Sequence, residues 1–363
     1  MNSLGFDKKE SDTKVIVAMS GGVDSSVAAV KLKKEGYDVT GVTLRLYNQV
    51  NTSKSKSCCA GIDINDAKKV AKQYNFSHLV LDYQEKFYDG VISNFIDSYA
   101  NGETPVPCIQ CNQTVKFTDL LEESKKLNAD ALVTGHYAIR RGGLKGSKLF
   151  KAKDTSKDQS YFLFATLQDQ LDYVRFPLGE YLKTEIRQMA EEFKLTVSDK
   201  PDSQDICFVT SDSYRDLINK IQPDINIEGN IFDVNGNKIG THKGIANYTI
   251  GQRKGIGIGG QEKPLYVKEV NKNKNYIVLA PYENLQKNKI FFKNINWFEN
   301  NKNNQVIDCS AKIRSTQMEV SGKLSLKNTN GYFVFDEAIS ATSPGQACVF
   351  YKNDQVLGGG WIT

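Results

Sequence analysis

The sequence predicts an α/β protein. A doubly wound parallel sheet comes first, then a small central mixed or β domain, then a C-terminal all-β barrel or sandwich. Three observations carry this. Short apolar runs alternate with helix-patterned stretches up to about residue 211. From about Asp212 glycines become dense and helical periodicity fades. From about Ile290 to Thr363 several short strand-like runs follow one another. At 363 residues the chain exceeds the usual size of one domain, and the expected division is 1–211, 212–282 and 283–363.

Val15 to Met19 is a short apolar run and reads as a buried strand. Ser20-Gly21-Gly22-Val23-Asp24-Ser25-Ser26 then turns it into a helix that carries Val27, Ala28, Val30 and Leu32 and stops near Gly36. Asp38 to Tyr47 is a second strand. The polar stretch Asn48 to Lys56 reads as a loop ending in Ser57-Cys58-Cys59. A helix from about Ile62 to Tyr74 and a strand from His78 to Asp82 come next. The helix from about Glu85 to Tyr99 gathers Phe87, Val91, Phe95 and Tyr99 on one face. Thr104-Pro105-Val106-Pro107 stiffens the backbone before Cys108-Ile109-Gln110-Cys111-Asn112, and the helix that follows buries Phe117, Leu120, Leu121 and Leu127. Ala131 to Thr134 is another strand, running into Gly135-His136-Tyr137. Ligands of such sheets sit beyond the carboxyl ends of the strands, where the Ser20 loop, Leu44, Cys108 to Cys111 and Gly135-His136 fall. Further on, Asn235-Gly236 signals a hairpin. The asparagine-rich stretch from Pro281 to Lys302 reads as an irregular connection.

Composition narrows the class. With 40% hydrophobic and 25% charged residues the chain reads as soluble and globular, and no apolar run is long enough to cross a bilayer. Met1 to Lys14 is polar, so a cytoplasmic protein with no membrane partner is expected. Seven cysteines, an odd number, do not suggest a disulfide framework. The net charge of +5 is mild, but its distribution is uneven. Residues 140–157 hold seven basic residues against one acidic, and residues 241–280 seven against two. Together they read as a phosphate-backbone footprint.

The loop after the first strand suits an anion. Two glycines let the backbone approach a ligand, helix-start N–H groups and the dipole favour negative charge, and Ser20, Ser25 and Ser26 add hydroxyls. Asp24 is a candidate Mg²⁺ ligand between phosphates. No Gly-Lys-Ser/Thr follows, so this is not the kinase-type loop. The whole string resembles the pyrophosphate loop of the ATP pyrophosphatase superfamily, whose Rossmann-like enzymes cleave ATP between the α and β phosphates, adenylate a substrate oxygen and displace AMP with a nucleophile.

Pro-Cys108-Ile-Gln-Cys111-Asn allows several readings: half a zinc site, a redox pair, a cluster ligand pair, or a catalytic thiol with a neighbour. With three histidines and no second CxxC, a zinc site is weakened. Cys111 at a helix start is expected to be a favoured thiolate. Cys207, in Asp202-Ser203-Gln204-Asp205-Ile206-Cys207-Phe208, is either a small buried hydrophobe or a thiol on a loop near the surface.

With further blocks in one order, the chain resembles the tRNA-specific 2-thiouridylase family, bacterial enzymes that replace O2 of the wobble uridine with sulfur. The blocks are Lys116-Phe117, Lys157-Asp158-Gln159-Ser160-Tyr161, Tyr248-Thr249-Ile250-Gly251-Gln252-Arg253 and Ser343-Pro344-Gly345-Gln346. The resemblance implies ATP with Mg²⁺, tRNA bound by its anticodon stem-loop, and a sulfur donor such as a cysteine desulfurase or sulfur-relay protein. It implies Cys111 as nucleophile and Cys207 as persulfide carrier, forming a disulfide as sulfur leaves. Family ATP contacts fall on Ala18, Met19, Ser20, Gly21, Gly22, Val23, Asp24, Ser25, Leu44 and Gly135. Family tRNA contacts fall on Lys157, Asp158, Gln159, Arg314, Ser315, His136 and Gln346, and the target-base region on Val106, Pro107 and Cys108.

One position departs from the best-known pattern: some members have aspartate where this chain has Cys108. Cys108, Cys111 and Cys207 would make a three-thiolate set able to hold a [4Fe-4S] cluster with one open iron, so persulfide and cluster routes stand as rivals. Other functions compatible with the loop are a synthetase of the same superfamily using a nitrogen nucleophile, or a non-catalytic tRNA-binding protein. The three cysteines speak against the first and the intact loop against the second.

Overall fold

The computed structural model describes the chain except for residues 48–60, 203–205, 210–212, 261, 299–304 and 341. The expected loop after Tyr47 with Cys58-Cys59, and Ser203-Gln204-Asp205, lie outside the described residues. Two compact units form. The first takes residues 1–91, 108–210 and 353–356; the second takes 92–107, 211–352 and 357–363.

The first unit is built on β1 (Lys14–Ala18), β2 (Asp38–Arg45), β3 (Ser77–Asp82), β4 (Ala131–Thr134) and, after a hairpin of β5 (Ile139–Arg141) and β6 (Lys148–Phe150), β7 (Val174–Arg175). The order β3-β2-β1-β4-β7 is parallel throughout. Val15, Ile16 and Val17 are fully buried, which is why β1 lacks alternation and sits at the centre. Helix α1 (Val23–Lys34) follows β1 and α2 (Gly61–Gln73) precedes β3, as the spacing predicts. The order reverses between β1 and β4, so the loops leaving these two strands face one crevice at the topological switch point.

Residues 107–126 are helical from Pro107 onward, with proline at the first position, where its missing N–H costs nothing. Cys108 and Cys111 therefore lie within the first turns of the helix. The stretch Asn112–Leu120 is a π-helix, a wide turn often found at functional sites. Phe117, Leu120 and Leu121 are buried as expected, while Leu127 is only half-buried.

In the second unit, β8 (Gly229–Phe232), β9 (Lys238–His242), β10 (Tyr266–Asn271) and β11 (Tyr276–Ala280) form a sheet in the order β10-β11-β8-β9. The Asn235-Gly236 signal lies in the turn joining β8 to β9. Helical pattern does not end at 212 as the sequence suggests. Tyr214–Ile221 is a helix, capped by Ser213 on the Arg215 N–H, and Tyr214 stacks on Tyr99 at 4.5 Å between ring centroids.

The last six strands, β12 (Gln286–Trp297), β13 (Val306–Lys312), β14 (Val320–Lys327), β15 (Asn330–Ser340), β16 (Ala347–Lys352) and β17 (Gln355–Ile362), close into an antiparallel barrel through β12–β17 pairing. Phe292, Phe333 and Phe350 meet in its core, with Phe350 5.0 Å from Phe292 and 5.8 Å from Phe333. Much of the stretch read as an irregular connection is β12. Its lysines and asparagines point to solvent while Ile290 and Phe292 point inward, so composition masked a period of two.

Candidate active site

The anion loop begins at the carboxyl end of β1. Gly22 caps α1 in extended backbone, and the Ser26 hydroxyl donates to Gly22 O at 2.8 Å. The Ser25 hydroxyl accepts the Ser20 N–H at 3.1 Å, folding the loop over the helix start. Two glycines are dictated by space. Gly21 has φ +74° and a Cβ there would meet Asp63 O at 2.2 Å; a Cβ on Gly135 would meet Ser25 N at 2.8 Å. Met19 is buried, its N–H donating to Val42 O, while Thr43 Oγ1 donates to Met19 O. Ala18 ends β1, Val23 is buried at the start of α1, and Leu44 lies near the end of β2.

Asp24 is not available as the Mg²⁺ ligand expected from sequence. Its Oδ1 accepts from Tyr137 Oη at 2.7 Å and from Lys183 Nζ at 2.6 Å, and its Oδ2 accepts from the same ammonium at 2.8 Å. Lys183, 10% exposed in its side chain, also pairs with Asp202 Oδ1 at 2.9 Å. Burial alone would raise the Asp202 carboxyl, but hydrogen bonds from Lys157 and Lys183 hold it down at about 2. Burial, and then the Asp24 charge, push the Tyr137 hydroxyl far above its ordinary value. With its oxygens engaged by a cation and a hydroxyl, Asp24 does not fit a metal.

Lys183 and Lys200 belong to this neighbourhood and stand in none of the sequence strings, while Lys116 and Tyr137 stand in those strings without a role assigned to them. Lys183 opens the helix Lys183–Glu192, where the dipole disfavours a cation. That misfit was the available signal: such a lysine needs an acid partner. Lys200 donates to Gly21 O at 2.9 Å and to Asp66 Oδ2 at 3.1 Å, and pairs with Asp63.

The cysteine helix supplies a second cluster. Lys116 donates to Asn112 Oδ1 at 3.0 Å, and Asn112 Nδ2 donates to Phe162 O at 3.1 Å. Cys111 is buried and Cys108 exposed. Burial raises the Cys111 thiol above its ordinary value and outweighs the opposing Lys116 charge, so the expected favoured thiolate is not present at rest. His136 Nδ1 lies 2.8 Å from Thr134 Oγ1, and its ring packs edge-on against Phe117 and Phe176, each 6.1 Å away. Burial, helped by Lys116, lowers His136 well below the usual histidine range and keeps it neutral.

Three consecutive residues after β4 thus tie the clusters together. Gly135 packs on the anion loop, His136 packs on Phe117 of the cysteine helix, and Tyr137 returns to Asp24. Cys207 is half-buried in a turn. Its carbonyl accepts from Tyr47 Oη at 2.9 Å, and Phe208 packs on Phe87 at 5.7 Å. Among the described residues, no group of three or more His, Cys, Asp or Glu stands ready to hold a metal, so Cys108, Cys111 and Cys207 do not form the three-thiolate set that a cluster needs.

Several expected tRNA contacts have internal bonds. Lys157 pairs with Asp202 at 2.9 Å, Asp158 accepts from Ala152 N and Ser160, and Gln159 Oε1 accepts the Tyr137 N–H. In the second unit, Gln346 Nε2 donates to Thr104 O at 3.0 Å, two residues before Val106-Pro107, and Arg314-Ser315 follow β13, both half-buried. Of the two basic windows, Arg140 is spent on Leu171 O and Asp172 O, whereas Arg253 and Lys254 are exposed.

Three family models match the chain: a tRNA methyl transferase HUP domain over residues 13–211, a tRNA methyl transferase PRC-barrel domain over 215–281, and an aminomethyltransferase beta-barrel domain over 287–362. A tRNA-specific 2-thiouridylase MnmA of Rhodospirillum centenum is 47% identical, covering 100% of this chain and 94% of its own. The enzyme of that name from Rickettsia bellii is 48% identical over 99% of this chain and 98% of its own, and that of Rickettsia prowazekii 47% over 96% and 98%. A 4-thiouridine synthetase solved as an RNA complex with bound ATP is 19% identical, covering 58% of this chain and 51% of its own, with a TM-score of 0.38, a likeness too slight to bear on function.

Proposed function

The chain belongs to the tRNA-specific 2-thiouridylase family, a family of sulfurtransferases, and from that premise we propose that it thiolates the wobble uridine of tRNA in two chemical stages. ATP first adenylates the uracil C2 oxygen, converting a poor leaving group into AMP. A persulfide on Cys207 then attacks C2 and AMP departs. The Cys111 thiol, its proton passing to the uracil N3, next attacks the inner sulfur of Cys207. The S–S bond to the transferred sulfur breaks, its electron pair stays on that sulfur as the thiocarbonyl forms, and a Cys111–Cys207 disulfide remains for an external thiol to reduce.

The observation that carries this reading is the Gly135-His136-Tyr137 segment, which packs on the anion loop at one end and, through the His136 ring against Phe117, on the helix that carries the buried Cys111. An unpaired carboxylate in the first turn of α1 would repel a phosphate. Lys183 cancels that charge, so the loop N–H groups act on the pyrophosphate unopposed. Mg²⁺ enters as the counter-ion of ATP itself. Neutral His136 offers its remaining ring nitrogen to the uracil without adding charge. The base must leave the anticodon stack to be reached, as base-modifying enzymes require.

In this reading 1–211 is the catalytic domain, with 212–282 and 283–363 gripping the anticodon arm. The sulfur donor is a cysteine desulfurase or a relay protein in the cytoplasm. Among the described residues no helix is long and apolar enough to cross a membrane.

The test separates activation from transfer. Cys111→Ser and Cys207→Ser should lose 2-thiouridine formation while keeping tRNA-dependent pyrophosphate release; full thiolation by both would overturn the assignment. Anaerobically purified protein, assayed for iron and acid-labile sulfide, decides the route. Stoichiometric iron lost in Cys108→Ser together with activity would replace the persulfide by a cluster-bound sulfide.

A further inference from the structure

The outer face of the barrel carries an ordered grid of lysines and rings. β15 runs between β12 and β14. In register, Lys289, Val334 and Lys323 form one transverse row, and Phe291, Tyr332 and Ser325 form the next. Beyond the aromatic row stand Lys293 on β12 and Lys327 on β14. The intervening Ile290, Phe292, Phe333, Leu324 and Leu326 are buried in the barrel core, which fixes the grid residues outward. Phe291 is 54% and Val334 38% exposed. The Phe291 and Tyr332 ring centroids are 6.1 Å apart, and the Lys289 ammonium lies 3.8 Å from the Tyr332 centroid and 4.9 Å from that of Phe291.

A flat aromatic centre framed by four cations suits one class of partner; against them stands one acid in these rows, Asp308 on β13, opposite Lys323 in register. An apolar protein face would bury the lysines without partners. A nucleic-acid strand offers phosphates for the cations and a π-face for the rings. We propose that this platform binds a strand of the substrate tRNA, with a base or ribose on Phe291 and Tyr332 and phosphates on Lys289, Lys293, Lys323 and Lys327. Lys289 exchanges its ring contact for a phosphate when the RNA arrives. This rests on tRNA being the substrate.

Full-length protein is titrated with unmodified tRNA across a range of KCl concentrations. Lys323→Ala with Lys327→Ala should lower the slope of log affinity against log salt by about 1.5, since each lost phosphate contact removes 0.7 to 0.9. Phe291→Ala should weaken binding about tenfold at one salt concentration and leave the slope unchanged, because stacking releases no counterions. Thermal midpoints should stay at the wild-type value, as every altered side chain is on the surface. Unchanged affinity and slope in both variants, with wild type binding and thiolating tRNA, would overturn the platform and leave the function standing. Wild type failing to bind tRNA would sink the function itself. Variants that keep tRNA but lose an acidic protein in pull-down would overturn the proposal in favour of that protein.

Discussion

At the scale of single residues, the informative groups are those whose surroundings set their charge. Lys183 lies between Asp24 and Asp202, and replacing it leaves the Asp24 carboxylate without its cation before the incoming phosphates, while Asp202 keeps Lys157 and Arg187. Lys183→Met should cut tRNA-dependent pyrophosphate release about a hundredfold or more; release within twofold of wild type would show that Asp24 needs no partner. His136 stays neutral when folded but accepts a proton when unfolded below about pH 6.5. The unfolded chain then binds more protons, so stability is full above that value and falls as pH drops below it. Urea midpoints at pH 7.5 and 5.5 should differ more in wild type than in His136→Asn; equal differences would remove His136 as a source. The sequence marked His136, Cys111 and the loop because each stands in a recognisable string. It missed Lys183, whose partners lie 159 residues away and 19 residues away along the chain. It also misjudged Cys111, because a helix start argues for a thiolate while burial, visible only in three dimensions, argues more strongly against one.

Among elements, the strand–loop–helix unit was legible almost to its ends, because an uninterrupted apolar run followed by glycines and hydroxyls has few other solutions. The wide turn at Asn112–Leu120 was not, since a π stretch breaks the 3.6-residue phase without any marker residue. β12 was missed because its outward lysines and asparagines look like a linker until alternation is weighed above composition. The contact between β4's exit and the anion loop is a matter of backbone against backbone. Gly135→Ala should therefore displace the loop and reduce ATP-dependent activation by about a hundredfold, with a modest fall in melting temperature. The check is pyrophosphate release beside a thermal melt; normal release by a folded variant would mean that the loop adapts without loss.

Over the whole molecule, each of the two compact units depends on part of residues 353–363. Residues 353–356 belong to the first unit, where Asp354 O accepts the Lys151 N–H and Gln355 pairs with Phe150. Residues 357–363 belong to the second, where they form most of the strand that closes the barrel against β12. Ending the chain after Lys352 should leave β12 with an unpaired edge and send the product into the insoluble fraction, whereas a soluble product with a sharp melt would show that the closing strand is dispensable. Synthesis runs in one direction, so residues 353–363 are made after every strand they complete. Until they emerge, the anion-loop unit lacks its 353–356 segment and the barrel stays open. Both units are therefore unfinished at once, and a nascent chain halted just short of these residues presents an open barrel edge to whatever it meets.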